Sequence, residues 1–218
     1  MANTNNEDYT VQEVDLAISK TELFIEEHKR QILTICVSII AIVAAVWGWN
    51  TYKDSQNAKA QDGIYNAQFL FEQGQYEQAL EGFEAVISDY SSTPTGNLAK
   101  AYAGICNKEL GNYAEAISLL KDYSGKDAVL APAILAALGD CYVNQENADN
   151  KEAAVCFEKA AKAANNAQYS PLYLKKAGLA YEAAGDNASA AKAYQAIKDN
   201  WAETAVAQSI DKYIERVK

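Results

Sequence analysis

Between Arg30 and Lys53 the chain runs Q-I-L-T-I-C-V-S-I-I-A-I-V-A-A-V-W-G-W-N-T-Y without a charged residue. Gln31–Tyr52 is 22 residues long. At about 1.5 Å per helical residue it reaches roughly 33 Å, enough to cross a hydrocarbon layer of about 30 Å. A helix that is apolar all round needs hydrocarbon or a protein core around it, and nothing else in the sequence is hydrophobic enough to enclose this one. A cleaved leader has the wrong form, because an acidic stretch of thirty residues comes first and Trp47 and Trp49 stand where cleavage needs small side chains. Lys29 and Arg30 close one end, while Trp47, Trp49 and Tyr52 gather at the other, where amphipathic rings sit among lipid headgroups. The sequence therefore predicts a transmembrane helix over 31–52, with an arm 1–30 before it and one domain, 53–218, after it.

Charge narrows the function classes. The chain carries a formal net charge of −10, with three basic against seven acidic residues in 1–30 and sixteen against twenty-two in 53–218. Without a basic patch, nucleic acid is not a partner. Lys20, Lys29 and Arg30 precede the span and only Lys53 and Lys59 follow closely, which predicts a cytoplasmic N-terminus and an extracytoplasmic domain. Within the arm, polar residues 1–8 suggest disorder. From Thr10 onward Val11, Val14, Ile18, Phe24 and Ile25 recur at helical spacing among acidic residues. That helix either docks on a partner or simply extends the anchor. His28, the only histidine, reads as a solvated flank residue.

Downstream, a motif repeats. E-Q-G-Q-Y-E-Q-A-L-E-G-F (72–83) aligns with E-L-G-N-Y-A-E-A-I-S-L-L (109–120) at an offset of 37, pairing Gly74 with Gly111 and Ala79 with Ala116. The same series continues through Ala153 and Ala190, and a large apolar position runs Phe83, Leu120, Phe157, Tyr194. Upstream in each unit lies a small residue: Ala67, then Gly104, Gly139 and Gly178. The third unit has two extra residues within the polar run Q-E-N-A-D-N. Each unit reads as two short helices over about 60–91, 97–127, 131–165 and 170–200. The small anchors let the helices cross closely, the large position fills the space beside them, and Gly74, Gly111 and Gly185 supply turns. One such pair cannot bury its apolar face alone, so the pairs must stack. Residues 201–217 follow as an amphipathic capping helix.

The motifs L-G-D-C-Y (138–142), G-Q-Y-E-Q-A (74–79), G-N-Y-A-E-A (111–116) and A-Y-E-A-A-G-D-N (180–187) make these units resemble tetratricopeptide repeats (TPRs). The period of 37 is longer than the usual 34, and the family's tryptophan and most of its prolines are missing. The expected fold is all-α: one transmembrane helix, then an α-solenoid of TPR-like helix pairs, then a cap. In layout the chain resembles the ancillary TPR subunits of the bacterial Sec translocon, which combine a short acidic arm, one inner-membrane span and a periplasmic repeat domain. That resemblance implies association with the translocon and with a membrane-anchored periplasmic prolyl isomerase, in support of newly exported proteins.

Catalysis has no parts to work with. There is no Ser/His/Asp set in 53–218, no G-x-S-x-G and no phosphate-binding glycine loop, so no enzyme, cofactor, metal or small-molecule substrate is expected. Cys36 lies in the span; Cys106, Cys141 and Cys156 form no CxxC and read as small buried hydrophobes. A Cys141–Cys156 disulfide stays open in an oxidising compartment. The TPR resemblance places a partner groove on Ile64, Gln68 and Phe71, then Leu98, Ile105 and Lys108. The same alignment continues it through Ala136, Asp140 and Val143 to Leu172, Lys175 and Leu179. This mostly apolar lining suits an amphipathic helix or an extended apolar segment, unless individual residues pack against the neighbouring unit. Two other roles fit the same architecture: a scaffold for envelope assembly or division, and a holdase for unfolded clients.

Overall fold

The computed structural model describes the backbone from Thr4 to Lys218 and the side chains from Phe24 onward. Among the described residues every regular element is helical, and the chain divides into two compact units, Met1–Asp54 and Ser55–Lys218.

From Thr4 to Asp54 the first unit is part of α1 (Thr4–Glu72). Residues 4–8, expected to be disordered, are helical. Residues 1–3 lie outside the described residues, as do the side chains of Val11, Val14 and Ile18. From Phe24 on, α1 is long and apolar enough to cross a membrane, and its most apolar window is not buried by the rest of the chain. Three hydroxyls in its uncharged stretch bond back to their own helix. Thr34 donates to the Arg30 carbonyl at 2.8 Å, Ser38 to Thr34 at 2.8 Å and Thr51 to Trp47 at 2.9 Å, which lowers the cost of placing hydroxyls in an apolar medium. The Lys53 ammonium lies 5.9 Å from the Trp49 ring, beside Tyr52. His28 is held locally, its Nδ1 being 3.1 Å from the Phe24 carbonyl oxygen.

The second unit is a row of helix pairs. The last turns of α1 pair with α2 (Tyr76–Tyr90), and α3 (Pro94–Glu109) with α4 (Tyr113–Asp122). After them come α5 (Leu130–Asn144) with α6 (Asn150–Ala164), and α7 (Ser170–Ala183) with α8 (Asn187–Asn200). Three of the turns inside pairs are built alike. Gly74, Gly111 and Gly185 take φ of 72°, 82° and 75°, and the next residue's N–H reaches back five residues: Gln75 to Leu70, Asn112 to Asn107, Asp186 to Tyr181. This is a Schellman stop, which needs the left-handed conformation that glycine adopts without strain. The α5–α6 turn carries the two extra residues and has no such glycine; instead Asp149 donates from its N–H to the Tyr142 carbonyl and caps α6 by accepting from Glu152. The start of α3 is tied to α1, because the Thr95 N–H donates to Asn57 Oδ1 at 2.9 Å while Thr93 caps the helix.

Each pair is closed by a small residue against a large one. A Cβ built on Gly104 would lie 2.6 Å from Leu120, on Gly139 2.7 Å from Phe157, and on Gly178 2.2 Å from Tyr194. Those distances leave no room for a methyl group. In the first pair the anchor is Ala67, and the space its Cβ needs is vacated on the facing helix: a Cβ on Gly82 would lie 2.8 Å from the Ala67 Cβ. Ala79, Phe83, Ala116, Leu120, Ala153, Phe157, Ala190 and Tyr194 are all buried.

The C-terminus does not form one capping helix. It folds as α9 (Ala205–Gln208) and α10 (Asp211–Arg216), broken where Ser209 Oγ bonds the Val206 carbonyl and Ile210 turns fully inward beside Tyr194 and Ile197. Burying Ile210 outweighs continuing the helix.

Changing Gly82 to alanine is expected to destabilise the repeat unit by about 1–3 kcal/mol through overpacking. Adding Ala67→Gly should leave the double variant less destabilised than the sum of the two single changes. Urea unfolding of the four proteins checks this, and strict additivity would dismiss the compensation between the two positions.

Candidate partner-binding face

The first helices of the pairs carry the predicted groove, and their register can be counted from Ala67, Gly104, Gly139 and Gly178. Three residues before each anchor stand Ile64, Ala101, Ala136 and Lys175. The first three are buried, Ile64 to 4% exposure, in clusters that include the next pair's first helix. Ile64 and Ala136 therefore belong to the stacking core and line no groove. In the last pair the equivalent Lys175 meets the C-terminal segment instead, its ammonium 4.7 Å from the Tyr213 ring.

Other groove positions split by environment. Phe71 is half-buried edge-on to Tyr76, Phe83 and Tyr102, at 5.6, 6.3 and 5.1 Å between centroids, so it is chiefly a core aromatic. Leu98 is half-buried against the cluster of the preceding pair and Ile105 against that of its own pair, and Gln68 is half-buried as well. Lys108 bonds Glu109; burial pulls its pKa down, but Glu109 and Asp140 outweigh that and hold it above the ordinary value. Asp140 accepts two hydrogen bonds from Lys176 Nζ at 2.8 and 2.9 Å, linking α5 to α7. Both partners are part-exposed, so the pair contributes at most about 1 kcal/mol. What stays open and apolar is Val143, Leu172 and Leu179, at 39, 46 and 41% exposure.

Sequence reasoning missed Tyr65 and Phe69, which are 76 and 55% exposed one turn apart on α1. Two residues after each anchor come Phe69, Cys106, Cys141 and Ala180; one before come Asn66, Ala103, Leu138 and Ala177; five before come Asp62, Ala99, Ile134 and Tyr173. From the second pair on, these positions pack against the preceding pair and are buried, except for half-buried Tyr173. In the first pair Asp62, Asn66 and Phe69 are exposed. The polar Asp62 and Asn66 are the detectable signal: they mark the outer face of a terminal repeat.

The far end is closed by a polar latch. Glu182 accepts from Tyr194 and, at 2.7 Å, from Arg216 of α10, while Arg216 and Lys212 also flank the Tyr213 ring. Burial pushes the Glu182 pKa up, but the bonds from Arg216 and Tyr194 outweigh it and hold it below the usual carboxylate value. The three repeat-domain cysteines are free and buried, so the Cys141–Cys156 bridge is not formed. Burial pushes Cys106 up to about 12 and Cys141 to about 11, and raises Cys156. All three are neutral, unreactive thiols near neutral pH. Among the described residues no three His, Cys, Asp or Glu side chains are grouped to hold a metal.

Stacked helix pairs of this kind define an α-solenoid, a class of scaffold that binds other proteins and is typically non-enzymatic. The family profile described as tetratricopeptide repeat-like domain matches residues 24–216, and the chain belongs to that family. Similar solved structures include TPR-like repeats of a protein assigned as a kinesin light chain from Podosopora anserina. It is 16% identical with a TM-score of 0.57, covering 74% of this chain and 86% of that one. A single-substitution form of the same protein gives 16% and 0.56, with 74 and 85% coverage. At this identity the likeness is one of fold. No curated protein matches the chain.

Because the folded pKa of Glu182 lies below its ordinary value, its contribution is complete above about pH 4.5 and is lost as pH falls through the folded value. Glu182→Gln is expected to lower the urea midpoint at pH 7 and to flatten its decline between about pH 5 and 3. An unchanged decline would remove the latch from the account of acid unfolding.

Proposed function

We propose that the protein is a single-span membrane anchor bearing a TPR-like scaffold, with residues 31–52 in a bacterial inner membrane, the arm in the cytoplasm and the repeats in the periplasm. The observation that carries this reading is the uncharged stretch of α1, whose apolar side chains are exposed within the chain and so require another apolar medium. Orientation rests on the placement of Lys29 and Arg30 before the span and the aromatic group after it.

In this reading the scaffold serves the Sec translocon and links it to a membrane-anchored periplasmic prolyl isomerase, keeping folding helpers near emerging chains. Support comes from the resemblance in layout and from the open apolar side chains Val143, Leu172 and Leu179, which suit an amphipathic or extended partner segment. Phe71 and Ile105 are poor test sites, since both pack on the core.

Brief crosslinking followed by recovery of the tagged full-length protein from membranes in mild detergent tests the assignment. Translocon subunits and the isomerase are expected, falling at least about fivefold with Leu172→Glu/Leu179→Glu; the thermal midpoint should shift little, as for other surface changes. Recovery of division or cell-wall proteins alone would replace export with an envelope-scaffold role. Suppressed aggregation of an unrelated denatured protein would favour a holdase.

A further inference from the structure

One second helix is short. α2, α6 and α8 run 15, 15 and 14 residues, whereas α4 stops after 10, at Asp122. The stop lies in the sequence D-Y-S-G-K-D, which is rich in turn formers. Tyr123 is already extended, the Ser124 N–H donates to Asn97 Oδ1 at 3.1 Å, and Asp127 Oδ1 accepts from Val129 and Leu130 to start α5. The loop is thus pinned at both ends, and the side chains that a longer α4 would lay over α5 and α6 are missing. A cleft of about 330 Å³ remains there.

Its floor is apolar, made by Leu120, Ile134, Leu138 and Cys156, with Tyr123 and Tyr142 as aromatic walls. Lys121 and Lys159 stand at the rim, exposed, and neither forms an ion pair among the described residues. Burial raises the Cys156 pKa; Lys159 and Lys121 pull it down, while Glu152 and Asp149 push it up. Glu152, the one carboxylate in the lining, lies in the first turn of α6, where the helix dipole complements it. The volume sits at the small end of ligand sites, room for one or two side chains.

We propose that this cleft is a second peptide site, distinct from the first-helix face, which takes one bulky apolar side chain of a partner segment and holds the acidic residues next to it with Lys121 and Lys159. The site rests on the scaffold reading in that its ligand is a protein. It differs in its lining, since neither Leu172 nor Leu179 borders the cleft.

The test uses full-length protein in mild detergent and three dye-labelled capped peptides, G-S-F-E-E-S-G, G-S-F-K-K-S-G and G-S-A-E-E-S-G, followed by fluorescence anisotropy. The F-E-E peptide should bind at least about tenfold more tightly than either other peptide. That binding should weaken about tenfold in Lys121→Glu/Lys159→Glu, and also in Ala131→Phe, which fills the cleft. The lysines are exposed, so the charge variant keeps the test open if the filled variant folds poorly. Equal affinity for the three peptides, or undiminished binding to the charge variant, would overturn the site. Displacement of the peptide by decanoate at matching concentration would assign the cleft to an amphiphile and overturn the peptide. Leu172→Glu/Leu179→Glu should leave peptide affinity unchanged; a loss there would move the peptide to the first-helix face. Failed partner recovery from membranes with intact peptide binding would count against the export role alone.

Discussion

Close approach between the two helices of each pair is the constraint on which the rest of the repeat unit depends. Gly104, Gly139 and Gly178 bring their helices against Leu120, Phe157 and Tyr194 at distances that exclude even a methyl group. A large side chain held this way is buried, which contributes roughly 1.5–3 kcal/mol per side chain, more than any exposed ion pair in the structure. The first pair obeys the same volume rule with the parts exchanged, since Ala67 gains a methyl where Gly82 lacks one. Packing conserves volume across the contact and tolerates a change in which helix supplies the space.

Stacking then sorts the remaining faces. In each first helix one side turns to the pair before and another to the pair after, so identical registers become core or surface according to place in the row. Cys106 and Cys141 are buried where Phe69 is exposed, and Ala136 is covered by α7 where Lys175 is covered by Tyr213. The partner face is what these two contacts leave over, and in the C-terminal half it narrows to Val143, Leu172, Leu179 and the Asp140–Lys176 pair.

Much of this fold was legible because its turns and anchors are marked by glycine and alanine, whose roles depend on local geometry. The period of 37, the helix pairs and the turn at Gly111 all follow from that local chemistry. The candidate face was less legible. An anchor glycine reports contact with its own second helix and says nothing about the direction of the next pair, so Ile64 and Ala136 were placed one step toward solvent from where they lie. The exposure of Tyr65 and Phe69 is marked in the sequence only by the polar Asp62 and Asn66 beside them. The break at Ser209 and Ile210 also escaped notice, since apolar spacing over 201–217 suits one amphipathic helix as well as two short ones.

The two finished ends have a consequence for assembly. A solenoid whose last repeat resembles its first offers a head-to-tail contact that no rotation closes, and such contacts propagate into filaments. Asp62 and Asn66 at one end, and Ile210 with the Arg216–Glu182 latch at the other, remove that contact from both sides. The repeat unit is thereby a row of fixed length whose two ends present different surfaces.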